Sequence, residues 1–225
     1  EVSAMGAIVD YLDITQKGKL PLLARPVKEL ATRVMQIDAA TRRNLEITQS
    51  LTGGGRSGSL LGAVDRTVTA SGARLLERRL SSPSLDLALI RSRLDAVQLM
   101  LDRGDVATKL RDALRKVPDL DRALSRISLD RAGPRDLASI RTGLTQAEFI
   151  AQSIQIEDAP ILITQSLAAL QGHAELIDLL DAAIVAEPPL LVRDGGFIAM
   201  GYNDELDETR VLRDEGRGII AKMQQ

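Results

Sequence analysis

Apolar residues recur at intervals of three or four positions along most of this 225-residue chain, and this spacing restricts the fold more than any other feature. Between Pro83 and Gly104 the apolar stripe consists of Leu87, Ile90, Leu94, Val97 and Leu101. Residues with this spacing share one face of an α-helix. We therefore predict a helix here, with this face toward the protein core and Arg91, Arg93 and Asp95 on its outer face.

Similar stripes predict further helices, each bounded by residues that start or stop helices. Asp38, Thr69 and Asp119 can cap helix N-termini, and Pro134 suits a first helical turn. Gly143 lies inside a helical run, where glycine costs about 1 kcal/mol relative to alanine, so we expect it to allow close packing. The predicted helices cover residues 4–15, 38–47, 69–82, 107–117, 119–127, 134–154, 160–171 and 174–185.

The composition supports a helical core and excludes several kinds of site. Aromatic residues make up only 2% of the chain and tryptophan is absent, so the core consists of aliphatic side chains, which suits helix-on-helix packing. The chain has no cysteine, which excludes disulfides and thiolate metal sites. It carries 29 basic and 31 acidic residues, so any contact with nucleic acid should be local. We predict an all-α, multihelical bundle.

The pattern changes after Pro188-Pro189. Two short apolar runs, 190–192 and 197–199, flank Arg193-Asp194-Gly195-Gly196, which predicts a small β-hairpin near 190–199. Asn203 can cap a final helix, which begins with several acidic residues. Asp194, Gly195 and Gly196 are therefore the candidate hinge between the bundle and this outgoing helix.

Two patterns that resemble catalytic or cofactor sites lack the surroundings that such sites need. Gly53, Gly55 and Gly58 match G-x-G-x-x-G, but this loop joins two helical stretches, whereas a dinucleotide site joins a strand to a helix. The loop also lacks the lysine of a phosphate-binding P-loop. His173 has no nucleophile or orienting group near it in the sequence. We expect no catalytic, cofactor-binding or metal site in this chain.

Two basic clusters have alternative interpretations. Arg42 and Arg43 are adjacent, and Arg74, Arg78 and Arg79 lie on one predicted helix. These side chains can form a solvated face paired with Glu46 and Glu77. Alternatively, Arg74, Arg78 and Arg79 contact a neighbouring domain or DNA phosphates. Without interleaved aromatic residues, a stacking platform for single strands is not expected.

Several blocks of the sequence resemble the core domain of the MutS family of DNA mismatch repair proteins. The first block is Met35–Gln49, which contains Asp-Ala-Ala-Thr-Arg-Arg-Asn-Leu-Glu. Three more blocks are similar to later parts of that domain, so the resemblance covers essentially the whole chain. They are 59–80, 118–137 and 192–207. The resemblance marks Asp38, Thr41, Arg42, Arg43, Asn44, Leu45 and Glu46 as signature and interdomain candidates.

The resemblance implies a role within a larger protein. MutS proteins are dimers that encircle mismatched double-stranded DNA, exchange ADP for ATP and recruit MutL. It implies that residues 1–20 are a linker helix from a connector domain, 21–200 the core or lever, and 201–225 the start of a helix toward a DNA clamp. ATP, ADP and Mg would bind in an ATPase domain outside this chain. The resemblance implies a location in the bacterial cytoplasm, in association with the nucleoid and without membrane contact.

The residues alone also allow a different function. A series of amphipathic helices without a catalytic constellation is typical of a stand-alone α-helical scaffold for protein interactions. Such a protein would be expected to cover the apolar face of its last helix, around Leu212 and Met223. The two hypotheses therefore differ in whether apolar helix faces remain uncovered.

Overall fold

The computed structural model describes residues 2–17, 23, 25–26 and 33–223, with only the backbone for residues 217–223. The described part is helical, which confirms the all-α prediction. The predicted boundary between residues 20 and 21 lies outside the described residues. The helices are α1 (Val2–Thr15), α2 (Ala39–Asn44), α3 (Leu60–Val64), α4 (Ala70–Ser81), α5 (Leu87–Asp102), α6 (Gly104–Leu114), α7 (Leu120–Ser128), α8 (Pro134–Ser153), α9 (Ile161–Ala169), α10 (Ala174–Ala183) and α11 (Asp204–Met223).

The caps predicted at Asp38, Thr69 and Asp119 start their helices. Asp38 accepts a hydrogen bond from the amide of Thr41 at 2.9 Å, and Thr69 accepts one from Gly72 at 3.0 Å. Asp119 accepts one from Arg122 at 3.3 Å. These bonds satisfy amide groups that a helix leaves without an internal partner. They confirm the predicted starts of α2, α4 and α7.

Helix α8 is the centre of the bundle and packs against α6, α7, α9 and α10. Buried aliphatic side chains form two clusters around it. The first cluster contains Ala123, Ile140, Leu180, Ala183 and Ile184. The second contains Val106, Ala113, Ile150 and Ile154. The core is therefore made almost entirely by consecutive helices folding back on α8.

Gly143 allows the close approach of α7 to α8. A Cβ atom added at Gly143 would lie 2.4 Å from Cδ2 of Leu120 and 2.8 Å from its Cγ. Real Cβ atoms do not come this close to another carbon, so any larger residue must displace Leu120. The close packing predicted at this glycine is confirmed.

Replacing Gly143 by alanine is expected to destabilise the domain by about 1–3 kcal/mol through overpacking, although alanine favours helix by about 1 kcal/mol. Urea denaturation followed by circular dichroism measures the change. Gly216→Ala in α11 is the matched control because nothing lies within 4 Å of its added Cβ. Combining Gly143→Ala with Leu120→Ala should cost less than the two single changes together. Strict additivity would contradict the steric explanation.

The predicted β-hairpin at 190–199 is wrong. Residues Val192–Asp194 form one turn of 3₁₀ helix, and Gly195 and Gly196 follow with φ angles of 67° and 69°. This left-handed backbone suits glycine, and residues 197–199 do not pair with 190–192. They pair instead with the end of α10, where the amide of Val185 donates to Phe197 at 3.0 Å and that of Ala199 to Ala183 at 2.9 Å. The prediction paired residues 197–199 with 190–192, whereas their partner is the end of α10.

Most of the apolar stripe of α5 is exposed, whereas we expected it to face the core; Ile90 is half-buried. Leu87, Leu94, Val97 and Leu101 are 66%, 60%, 55% and 73% exposed. The buried position of the helix is Ala96, at 8%. Periodicity shows which residues share a face, but it cannot show whether another element covers that face. In the described part of the chain, α5 contacts α6 and α9 with a different face.

Candidate functional site

The signature segment begins with a cap that forms two hydrogen bonds. One carboxylate oxygen of Asp38 accepts from the Thr41 amide, and the other accepts from the Thr41 hydroxyl at 2.6 Å. Both hydrogen bonds hold the pKa of Asp38 below its ordinary value, and the bond from the Thr41 hydroxyl has the larger effect. Asp38 and Thr41 therefore fix the start of α2.

Glu46 ends the segment in a strained turn. Its φ is 48°, in the left-handed region that non-glycine residues seldom adopt. Its carboxylate accepts from the Ser50 hydroxyl at 3.1 Å and the Leu51 amide at 2.5 Å, which holds the turn. Its own carbonyl accepts from the Leu60 amide at 3.0 Å. Glu46 thus joins the signature segment to the start of α3.

Three buried residues lie at this junction. Leu61 is inaccessible to solvent, its amide donates to the carbonyl of Ile47 at 2.9 Å, and Ile47 is itself buried. Ser59 is 2% exposed; its hydroxyl accepts from the Gly62 amide at 3.1 Å and donates to the Arg56 carbonyl at 2.6 Å. The first two sequence blocks therefore pack as one unit. Sequence reasoning missed Ser59, although a serine before an apolar run is the usual signal for a cap.

The other signature residues divide into inward and outward positions. Arg42 is partly buried and donates to the Ile37 carbonyl at 3.3 Å. Arg43, Asn44 and Leu45 are exposed, and Leu45 has 60% of its surface accessible. Asp38, Thr41 and Arg42 thus serve the segment's own structure, and Glu46 bonds to the turn that follows it. The outward residues are the ones available for contact with another domain.

Arg74 pairs with α7 and not with Glu46 or Glu77. Its guanidinium donates to both carboxylate oxygens of Asp119, at 2.6 and 3.1 Å, and to Asp121 at 2.8 Å. Glu77 pairs instead with Arg56 at 2.6 Å. Arg74 therefore joins α4 to the N-terminus of α7, and its donors are already used within the domain.

Acid should weaken this α4–α7 junction. Hydrogen bonds from Arg74 lower the pKa values of Asp119 and Asp121. A carboxyl group whose pKa is lower in the folded than in the unfolded state stabilises the fold at pH values above its unfolded pKa, near 3.9. This stabilisation is lost as the pH falls through the folded pKa. We expect the free energy of unfolding to decrease as the pH is lowered below about 5. The decrease should be less steep in Arg74→Ala. Urea midpoints across a pH series measure this, with the exposed Arg111→Ala as control. Equal slopes in both variants would contradict the assignment.

Arg78 and Arg79 lie apart from these carboxylates. They line a surface groove with Arg33 and Arg93, between α4 and α5. Within the described residues, no ion pair joins either side chain to a carboxylate. The structure thus separates the predicted trio: Arg74 acts within the fold, and the other two face solvent.

The start of α11 is tied to the segment that follows the candidate hinge. Arg210 is 17% exposed and donates to the Ile198 carbonyl at 2.8 Å and to Asp207 at 2.7 Å. Asp207 in turn accepts from the Gly201 amide at 2.6 Å. Asp194, Gly195 and Gly196 are exposed, and nothing lies within 4 Å of a Cβ added at either glycine. Their role as a hinge stays a prediction.

Arg141 ties the residues at the end of α10 to α8. It is 13% exposed, and its guanidinium donates to the carbonyls of Ile184 at 2.9 Å and Ala186 at 3.1 Å. These carbonyls follow the end of α10, next to the pairing with 197–199. Sequence reasoning missed Arg141 and Arg210, because an arginine that binds distant carbonyls has no local sequence signal.

The structure shows where the glycine loop and His173 lie. The glycine loop connects α2 to α3, as predicted for a helix connector, with Gly54 and Gly58 at positive φ. His173 precedes α10, and its amide donates to Glu148 at 3.1 Å. Among the described residues, no cluster of three histidine, cysteine or acidic side chains could hold a metal ion. In that part of the chain, no helix is both long and apolar enough to cross a membrane.

The fold and these contacts define a multihelical all-α domain whose helices are joined by arginines bonded to carboxylates and backbone carbonyls. The family profile of MutS domain III matches residues 40–224. The chain is 70% identical to the DNA mismatch repair protein MutS of Cereibacter sphaeroides over 224 residues, 64% identical to that of Ruegeria pomeroyi and 60% to that of Paracoccus denitrificans. The chain belongs to the MutS family of DNA mismatch repair proteins.

These alignments cover all of this chain but only a part of each relative. The chain spans 25% of the Cereibacter and Paracoccus proteins and 26% of the Ruegeria protein. The contacts described above therefore correspond to one part of proteins that are about four times as long.

Proposed function

We propose that this chain is the core, or lever, segment of a MutS-type mismatch recognition ATPase. In this proposal it couples the DNA clamp at one end of the protein to the ATPase domain at the other. The observation that carries the proposal is a continuous series of bonds from α8 to α11. Arg141 of α8 binds the end of α10, that end pairs with 197–199, and Arg210 of α11 binds Ile198.

Helix length supports a mechanical role. Helices α8 and α11 have 20 residues each, and a helix of this size is about 30 Å long. A packed helix moves as a stiff rod, so a rotation at the 197–201 junction displaces its far end by a larger distance. Such a movement still requires ligands that bind the two arrangements with different affinity.

The proposal assigns chemistry to the intact protein. ATP or ADP with Mg would bind in a separate ATPase domain, and this segment would have no catalytic activity of its own. The partners of the intact protein would be mismatched double-stranded DNA, a second MutS subunit and MutL. Its location would be the bacterial cytoplasm, at the nucleoid.

Breaking the bond between α11 and Ile198 tests the coupling. In full-length MutS carrying this segment, Arg210→Ala should reduce the mismatch-dependent acceleration of ADP–ATP exchange by about fivefold or more. Basal ATP hydrolysis should persist, because in this proposal the nucleotide binds in a separate ATPase domain that does not contain Arg210. Arg213→Ala is the matched control, since Arg213 lies one turn away and pairs with the adjacent Asp214.

Results of two kinds would count against the proposal, one on the full-length protein and one on the isolated chain. One is normal mismatch-dependent exchange in Arg210→Ala. The other is ATP hydrolysis by the isolated 225-residue chain, or a strong preference of this chain for mismatched over matched duplexes in a gel-shift assay. The expected behaviour of the isolated chain is negligible hydrolysis and weak DNA binding that ignores mismatches.

The stand-alone scaffold remains the second candidate, and the exposed α5 stripe bears on it. Four aliphatic side chains on one face form a surface on which another helix can pack. Leu212 of α11 is also 69% exposed, whereas Met223 lies outside the described side chains. A monomeric, non-aggregating chain in analytical ultracentrifugation would favour the scaffold. Concentration-dependent association, abolished by Leu94→Glu, would favour a segment that packs on other parts of MutS.

A further inference from the structure

Four arginines line a groove between α4 and α5, here called the arginine groove. Arg78 and Arg79 come from the last turn of α4, Arg93 from α5, and Arg33 from the segment before α2. Backbone hydrogen bonds fix that segment against the α4–α5 connection. The amide of Met35 donates to Pro83 at 2.8 Å, and that of Leu85 donates to Arg33 at 2.9 Å.

The charges of the arginine groove are not neutralised within the described residues. None of its four guanidinium groups has an ion pair there, and Nε of Arg93 is buried without a hydrogen-bond partner. Other arginines of the domain do have carboxylate partners, as in Arg74 with Asp119 at 2.6 Å and Arg126 with Asp136 at 2.8 Å. In the arginine groove, four arginines lie together without such a partner in the described part of the chain.

One carboxylate lines the arginine groove, and it has another role. Asp86 is the N-cap of α5, and its Oδ1 accepts from the amides of Ala88 at 2.9 Å and Leu89 at 3.1 Å. The negative charge of Asp86 is thus directed toward the N-terminus of α5. Among the described side chains, no ion pair forms between Asp86 and the four arginines.

The arginines also affect each other. Burial, followed by the positive charges of Arg93 and Arg78, lowers the pKa of Arg79. Like charges held close together cost free energy unless an anion lies between them. The remaining lining residues include the hydroxyl groups of Ser82 and Ser84, which can donate hydrogen bonds to such an anion.

We infer that the arginine groove is a phosphate-binding site. One bidentate arginine satisfies most of a carboxylate, as Arg74 does for Asp119. A tetrahedral phosphate has more acceptor oxygens and accepts from several guanidinium groups at once. Arg33, Arg78 and Arg79 are exposed, so a phosphate can reach them from solvent, whether it is free or part of a DNA backbone.

Titration of the chain with inorganic phosphate and with pyrophosphate, followed by calorimetry at low salt, tests the site. Arg79→Gln and Arg93→Gln should each weaken binding about tenfold, the effect of losing a hydrogen bond between charged groups. Arg91→Gln is the matched control, because Arg91 lies on the same helix, is exposed, and does not line the groove. Melting curves verify that each variant remains folded.

A second arm distinguishes the source of the phosphate. Binding of a fully matched DNA duplex is measured at several salt concentrations in the same variants. If DNA supplies the phosphate, each lost groove arginine lowers the slope of log K against log salt by about 1, and Arg78→Gln behaves in the same way. If only free phosphate binds, the DNA slopes are unchanged while the phosphate titration still depends on Arg79 and Arg93.

The inference fails under two results. Folded wild-type chain that gives no saturable heat with phosphate or pyrophosphate would overturn it. So would phosphate binding that Arg79→Gln and Arg93→Gln leave unchanged, or reduce no more than Arg91→Gln does. These outcomes are independent of whether the domain acts as a lever.

Discussion

Replacing Gly62 by alanine is expected to lower the free energy of unfolding by about 3 kcal/mol, the upper range for overpacking. A Cβ atom at this position would lie 2.1 Å from the carbonyl oxygen of Arg56 and 3.0 Å from its carbon. That oxygen accepts hydrogen bonds from both the hydroxyl and the amide of Ser59. The clash is with backbone, so it cannot be relieved by rotating a side chain.

Urea denaturation and hydrogen exchange measure the effect of Gly62→Ala. The amides of Leu60 and Leu61 donate to Glu46 and Ile47, so their protection reports directly on the junction between the signature segment and α3. Gly6→Ala in α1 is the control, because nothing lies within 4 Å of its added Cβ. We expect that control to be neutral or slightly stabilising. Equal effects of the two substitutions would show that the Arg56 carbonyl can move freely.

Ile150→Ala is expected to destabilise the domain by about 2–5 kcal/mol, as for other buried aliphatic side chains cut to alanine. Ile150 is 2% exposed and lies in the second core cluster with Val106, Ala113 and Ile154. Its truncation leaves a cavity between α6 and α8. Because whole domains are stable by only about 5–15 kcal/mol, this single change would remove a large share.

Phe149→Ala is the matched control for Ile150→Ala. It removes a larger side chain from the adjacent position of α8, but Phe149 is 51% exposed. We expect a smaller loss than for Ile150→Ala, about 1–2 kcal/mol, since half of the Phe149 side chain is already in water. If Phe149→Ala costs more than Ile150→Ala in urea denaturation, then the assignment of the inward face of α8 is incorrect.

The family resemblance is contained in the sequence, whereas the roles of the site residues depend on the fold as well. The block from Asp38 to Glu46 is enough to indicate the family, because its residue order is long and specific. The structure divides that block, because Asp38 and Glu46 accept hydrogen bonds from neighbouring residues whereas Asn44 and Leu45 are exposed. The basic trio is divided in the same way, because Arg74 has carboxylate partners and Arg79 has none in the described residues.

By itself the sequence determined most of the helices, though not α3, together with several of their caps and the close packing at Gly143, because each depends on residues within a few positions or on a missing side chain. Asp119 illustrates this, since its bond to the Arg122 amide spans three residues. Only the tertiary structure decided that Asp119 also binds Arg74, 45 positions away, that residues 197–199 pair with α10, and that the α5 stripe is exposed. These facts depend on which elements meet in space, and apolar periodicity contains no information about the identity of the partner.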